Sequence, residues 1–232
     1  MKVEIFSDIV CPFCYIGKRR FEKALEQFNH KEKVELFFRS FQLDPNAPKN
    51  PKEDIHSTLA KKYEMSYEEA KKMNDQVADQ AREVGLHFDF DKAIHSNTFD
   101  AHRLSHYALE EGKMYELMER LMKAHFTDGH NVSEHHVLAD LAEEVGLSRE
   151  ESLRVLEDDA YTNDVEQDIT LSGQYGVQGV PFFVFNRKYA VSGAQPTEVF
   201  LEVLEKVFEE ENEKAEEKST KTEYCDGESC DS

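Results

Sequence analysis

The chain has 232 residues, 39% of them hydrophobic and 11% aromatic, enough for a sizeable core in one domain or one domain carrying an insertion. Its 48 acidic side chains outnumber 28 Lys and Arg, for a net charge of -20. That balance argues against nucleic-acid and anionic-membrane partners, which need clustered cations, and no window approaches the roughly 20 apolar residues of a membrane span.

The chain opens with KVEIFSDI (2–9), an alternating, β-prone segment. It carries Glu4 and Asp8 and lacks a small-residue cleavage site, so it reads as a strand and not as a secretion signal, and a cytoplasmic protein is expected. CPFCYIGKRRFEKALEQF (11–28) follows, with Ile16, Phe21, Leu25 and Phe28 at helical spacing. VELFFRSFQL (34–43) is strongly β-type, and the three prolines of DPNAPKNP (44–51) then stop regular structure. This opening is β-α-β, and a right-handed crossover would make its strands parallel.

The next stretch reads as helices only. A helix starts at Ser66, with Glu69 at capping-box spacing, and stops at Gly85. Others start at Asn97 and end at Gly112, cover 113–126 with Tyr115, Met118, Leu121 and Met122 on one face, run from Ser133 to Gly146, start at Ser148, and occupy 160–175. They predict a helical subdomain from about 50 to 160. The β pattern returns in VPFFVFN (180–186) and KYAVSGA (188–194), a hairpin turning near Asn186 and Arg187. Pro196 opens a last helix with Val199, Leu201, Val203, Leu204 and Phe208 on its apolar face, and the pattern fades after Lys214. The order β-α-β, helical block, β-β-α predicts an α/β fold with a large all-helical insertion.

The four cysteines form two close pairs, Cys11 with Cys14 and Cys225 with Cys230. In a cytosolic protein such pairs are more often catalytic or metal-binding than structural disulfides. With the helix beginning near Cys11, that residue is the N-cap and Pro12 stands at N1, where its missing amide costs nothing. A Cys11 thiolate there would take hydrogen bonds from the free N–H groups of Phe13 and Cys14 and feel the positive end of the helix dipole. Cys14, less exposed, would attack a mixed disulfide formed on Cys11. Two other readings are a zinc site completed by Cys225 and Cys230, and a pair of inert thiols. Structural zinc knuckles usually use turns, so an N-cap cysteine after a strand favours redox chemistry.

Val180-Pro181 precedes the apolar run FFVF, and proline fits a strand's first residue because it cannot donate to a ladder. If that strand lies beside the first, Pro181 comes near the cysteines; whether the bond is cis or trans is open at this level.

These segments together resemble DsbA-type thioredoxin-fold oxidoreductases. SDIVCPFCYIGKRRFEKAL, RSFQLDPNAP, NTFDAHRL and GVQGVPFFVFNRKYAVSGAQP are similar to the FrnE branch, close to the 2-hydroxychromene-2-carboxylate isomerase and kappa-class glutathione transferase group. The resemblance covers about residues 1–208. With the element order, it divides the chain into a thioredoxin-like domain at 1–48 and 162–212 and a helical insertion at 49–161; residues 213–232, beyond the resemblance, read from their own sequence as an acidic flexible tail. It also implies redox roles for Cys11 and Cys14, a cis Pro181, and a substrate-binding region including Pro12, Phe13, Val180, Asn97 and His102. The glutathione-using relatives carry serine where this chain has Cys11, which favours dithiol chemistry here. From the residues alone, Asn97 reads as a helix N-cap, and His102 and His106 as solvated helix positions.

Cys225 and Cys230 in CDGESC are a candidate second redox pair, their thiol pKa values raised by the acidic flank, or else thiols of a tail with no specific role. No metal ligand set is singled out, and no nucleotide or esterase motif is present. The expected function is thiol–disulfide exchange on protein or small-molecule substrates, by a monomer or homodimer that requires no cofactor and has glutathione as a candidate co-substrate. The alternatives are a glutathione-dependent isomerase or transferase acting on a small aromatic compound, and a zinc-stabilised binding protein.

Overall fold

The computed structural model describes residues 1–222, with side chains as far as residue 213. Cys225 and Cys230, and the expectations attached to them, lie outside the described residues. Among the described residues no helix is long and apolar enough to cross a membrane.

One four-stranded sheet organises the chain, in the order β2-β1-β3-β4. β1 (Lys2–Ser7) pairs in parallel with β2 (Glu35–Ser40), as the β-α-β order predicts. β3 (Phe182–Phe185) lies antiparallel on the other side of β1, with Phe182 opposite Phe6, and β4 (Tyr189–Ser192) completes the hairpin. Its turn places Asn186 and Arg187 at φ 49 and 56, both left-handed, closed by the Lys188 amide donating to the Phe185 carbonyl. Left-handed central residues match the twist of a two-stranded ribbon, and asparagine tolerates that backbone well.

α1 (Pro12–Gln27) packs on the sheet through Phe21, whose ring meets Phe183, Phe185 and Phe200. Phe200 belongs to α9 (Thr197–Thr222). The face α9 buries is Phe200, Leu204 and Val207, while Val199, Leu201, Val203 and Phe208 are only partly buried. The expected residues thus pack on the core, four of them at its flanks, but the expectation missed Phe200 and Val207, which with Leu204 form its centre at i, i+4, i+7 spacing. α9 also continues to Thr222, past Lys214 where its apolar pattern fades.

The insertion contains α2 (Ile55–Lys62), α3 (Tyr67–Glu83), α4 (Phe99–Glu110), α5 (Met114–Lys123), a π-helical turn (Ala124–Asp128), α6 (His135–Glu144) and α7 (Arg149–Glu157). α8 (Thr162–Gln174) then packs against β2 and α4. Ser66 and Glu69 form the capping box, and Ser148 caps α7 by accepting from the Glu151 amide. α2 was not foreseen from the sequence; Asp54 caps it by accepting from the Ser57 amide at 2.9 Å. α4 has Thr98 at its N-cap, one residue after Asn97, and α6 has Glu134, one after Ser133. On α5 the expected apolar face holds for Met118, Leu121 and Met122, while Tyr115 lies at its margin, partly exposed, with its ring against Phe38 and Lys18. The Tyr15 ring on α1 stacks on Phe88, and Phe88 on Phe126 of the π-helical turn, so the apolar core runs unbroken from the sheet into the insertion.

Candidate active site

The C-terminal end of β1 delivers the chain directly into the cysteine pair. Cys11 is the N-cap of α1 with Pro12 at N1, and the backbone closes the turn through the Cys11 amide on the Asp8 carbonyl and the Cys14 amide on the Cys11 carbonyl, each 3.1 Å. Both cysteines are free thiols. The expected side-chain cap is not made: the Cys11 sulfur bonds no helix amide and instead contacts the Val180 carbonyl oxygen at 3.5 Å. A thiol donates to a carbonyl, so in this state the sulfur turns from the helix to the facing loop.

That loop is set by the sheet. Because β3 pairs with β1, Pro181 at its head comes beside the cysteines, and the Val180-Pro181 peptide bond is cis. The Pro181 carbonyl accepts from the Gly193 amide at 2.8 Å, tying the loop to the end of β4.

Cys11 is 3% exposed and Cys14 2%, so both are buried and the expected contrast between them is absent. Burial pushes the Cys14 thiol well above its ordinary pKa, and Cys11 beside it pushes the same way, while the Ser7 hydroxyl and the Asp8 amide oppose them. Pro12 is half-buried, and Phe13 is 41% exposed at the rim.

Asp8 closes the site from behind. Its buried carboxylate accepts from the Leu43 amide at 2.8 Å, and its second oxygen lies 3.4 Å from His102 Nε2. His102 Nε2 donates to the Phe41 carbonyl at 3.0 Å, so this histidine is a buried tie between α4 and the loop after β2. His106, one turn on, is likewise buried against Ser40 and Asp168. The solvated positions expected for both histidines are corrected: each finds a polar partner at the end of β2, which helical spacing alone does not reveal. Asn97 lies nearby but spends its amide within the chain. Its Nδ2 donates to the Pro45 and Ala47 carbonyls and its Oδ1 accepts from the Phe99 amide.

Three features escaped the sequence reading. Asp8 stands as a lone carboxylate inside the apolar run IFSDIV, which is its only sequence signal. Lys18, 3% exposed, pairs with Glu22 and, at 2.6 Å, with Glu119 of α5. Glu119 also receives Arg19 and the Tyr15 hydroxyl, so a charged network rivets the helix of the cysteines to the insertion. His125, fully buried in the π-helical turn, has no partner on either ring nitrogen, and burial drives its pKa down to about 3. Among the described residues no cluster of His, Cys, Asp or Glu could hold a metal ion.

A strand ending in a dithiol turn, with a cis-proline loop across from it and a helical insertion above, defines a thioredoxin-type fold of the DsbA kind. The family model for the DSBA-like thioredoxin domain matches residues 2–205, and the chain belongs to that family. A probable DsbA oxidoreductase from Streptomyces coelicolor is 43% identical, with TM-score 0.86, over 90% of this chain and 91% of that one. The uncharacterized protein YwbO of Bacillus subtilis is 28% identical over 214 residues, covering 91% of this chain and 98% of YwbO. The cytosolic disulfide reductase DsbM of Pseudomonas aeruginosa, solved with GSH, shares the fold at 16% identity, with TM-score 0.65 over 90% of this chain and all of the other (100%).

Proposed function

We propose that the protein is a thiol–disulfide oxidoreductase that works through Cys11 and Cys14. The Cys11 thiolate attacks one sulfur of a substrate disulfide, forming a Cys11–substrate mixed disulfide and releasing the other sulfur as a thiolate that takes up a proton. Cys14 then loses its proton and attacks the Cys11 sulfur, giving the Cys11–Cys14 disulfide and the second substrate thiol. The substrate gains two electrons and the pair loses two; run in reverse, the same steps oxidise a dithiol. The order of attack follows from position, since Cys11 stands at the N-cap position, ahead of the helix, while Cys14 sits in its first turn with a thiol that burial holds protonated.

The observation that carries this reading is the pair of free thiols at the start of α1 with the Val180 carbonyl against Cys11. Phe13 at the rim, with Val180 and Pro181, supplies the docking edge for the substrate. Asn97 and His102 brace the loop after β2 and are not direct substrate contacts, because their polar atoms are used within the chain. DsbM, solved with GSH, has this fold, which supports glutathione as a co-substrate and a cytoplasmic setting. No resident cofactor enters the scheme.

The test is to incubate Cys14→Ser with a disulfide-bonded substrate or oxidised glutathione and look for an adduct on Cys11. A glutathione-dependent isomerase would instead keep its turnover in Cys14→Ser, and a zinc-stabilised protein would lose its fold on chelation.

A further inference from the structure

Gly17 stands inside α1 without a left-handed backbone to explain it. Glycine in a helix interior loses more conformational entropy than any other residue, so its use there needs a steric cause. That cause is close packing. A Cβ at position 17 would lie 2.9 Å from Pro181 Cγ and 3.4 Å from both Cα and Cβ of Ala194. Neither neighbour is the free end of a flexible side chain. The Pro181 ring is closed on its own backbone, the Pro181 carbonyl is held by the Gly193 amide, and the Ala194 carbonyl accepts from Arg20 of α1 itself. Gly173 offers the contrast: it lies in α8, also without a left-handed backbone, and a Cβ there meets nothing within 4 Å.

The seam that Gly17 closes is the one across which Cys11 contacts Val180. Cys14, Gly17 and Phe21 follow one another along a face of α1 at i, i+3 and i+7, and Val180 immediately precedes the proline that Gly17 touches. We propose that Gly17 is a positioning residue for Cys11: its missing side chain seats α1 on Pro181 and Ala194, and that seat holds the Val180 carbonyl against the sulfur. A carbonyl oxygen accepts from a thiol and repels a thiolate, so widening the seam favours the thiolate at Cys11. The inference rests on the redox reading only for its consequence in exchange; the ionisation of Cys11 reports it either way.

The experiment is the pH–rate profile of iodoacetamide alkylation at Cys11, followed on its own peptide by mass spectrometry in the full chain. Gly17→Ala is expected to move the profile to lower pH and to alkylate several-fold faster at pH 6, while Gly173→Ala follows the wild type. An unchanged profile in folded Gly17→Ala overturns the proposal. Should Gly17→Ala fail to fold, Pro181→Ala removes the Cγ in the way, and the profile of the double variant is expected to equal that of Pro181→Ala alone. A further shift from Gly17→Ala on that background also overturns it. Failure of wild-type protein to exchange disulfides would refute the proposed function without touching this result.

Discussion

The Cys11 sulfur lies 3.5 Å from the Val180 carbonyl oxygen, a contact that spans 169 residues of sequence. Two structural facts create it. The parallel pairing of β1 with β2 leaves the other edge of β1 for β3, and β3 begins at the proline that follows Val180. The chemistry proposed for the dithiol therefore depends on strand order as much as on the C-x-x-C spacing.

The support beneath that contact is aromatic. Phe21 of α1 meets Phe183 at a centroid distance of 5.4 Å and Phe200 at 5.5 Å, and all three are buried. Truncation leaves a cavity between helix and sheet that those rings cannot fill by turning. Phe21→Ala is expected to cost about 3–5 kcal/mol, read as a lower urea midpoint at unchanged m-value.

The rivet between α1 and α5 should appear in acid. Burial opposes the charge on Glu119, but Arg19, Lys18 and the Tyr15 hydroxyl outweigh it and hold the pKa at about 2, down from 4.5. A depressed carboxylate stabilises the fold above its unfolded pKa, and that contribution disappears as pH falls from about 4.5 towards 2. Allowing for partial solvent exposure, Glu119→Gln is expected to lose about 1–3 kcal/mol at pH 7. Urea midpoints of the variant should also fall less steeply than the wild type's below pH 4.5.

His125 predicts acid sensitivity in a higher window. Burial, only partly offset by the charge of Asp8, keeps the ring neutral down to about pH 3 in the fold. The unfolded chain takes up a proton near pH 6.5. Stability from this residue is therefore lost as pH falls from about 6.5 to 3, by an amount on the order of 2–4 kcal/mol. His125→Phe keeps the ring and removes the titration, so the decline in urea midpoint between pH 7 and pH 5 should shrink. A decline equal to the wild type's would show that other groups cause it.

Local signals in the sequence translated well. Ser66 with Glu69, Ser148, Pro12 after Cys11, and the Asn186 turn each fix a short piece of backbone through their own chemistry, and each stands where expected. Long-range packing was not legible. The cysteine and proline signals could be joined only on the condition that β3 lies beside β1, which the sheet order supplies. Nothing local, however, says that Glu119 reaches Lys18 101 residues away, or that His102 points at Phe41. The Cys11 side chain departed from the N-cap expectation for the same reason: its partner comes from a loop folded against the helix, and a helix considered in isolation lacks that competitor. Gly17 carried a readable hint, a glycine inside an amphipathic helix, but the atoms it makes room for belong to Pro181 and Ala194.

The central claim is that Cys11 attacks and Cys14 resolves, and mixed-disulfide trapping tests it most directly. Purified Cys14→Ser, Cys11→Ser and wild-type protein are each mixed with oxidised glutathione, quenched in acid and mapped by peptide mass spectrometry. The account predicts a stable glutathione adduct on Cys11 of Cys14→Ser, a Cys11–Cys14 disulfide in the wild type, and a far slower adduct on Cys14 of Cys11→Ser. An adduct that forms as fast on Cys14 as on Cys11, or none on either while wild-type protein forms no Cys11–Cys14 disulfide, would contradict it.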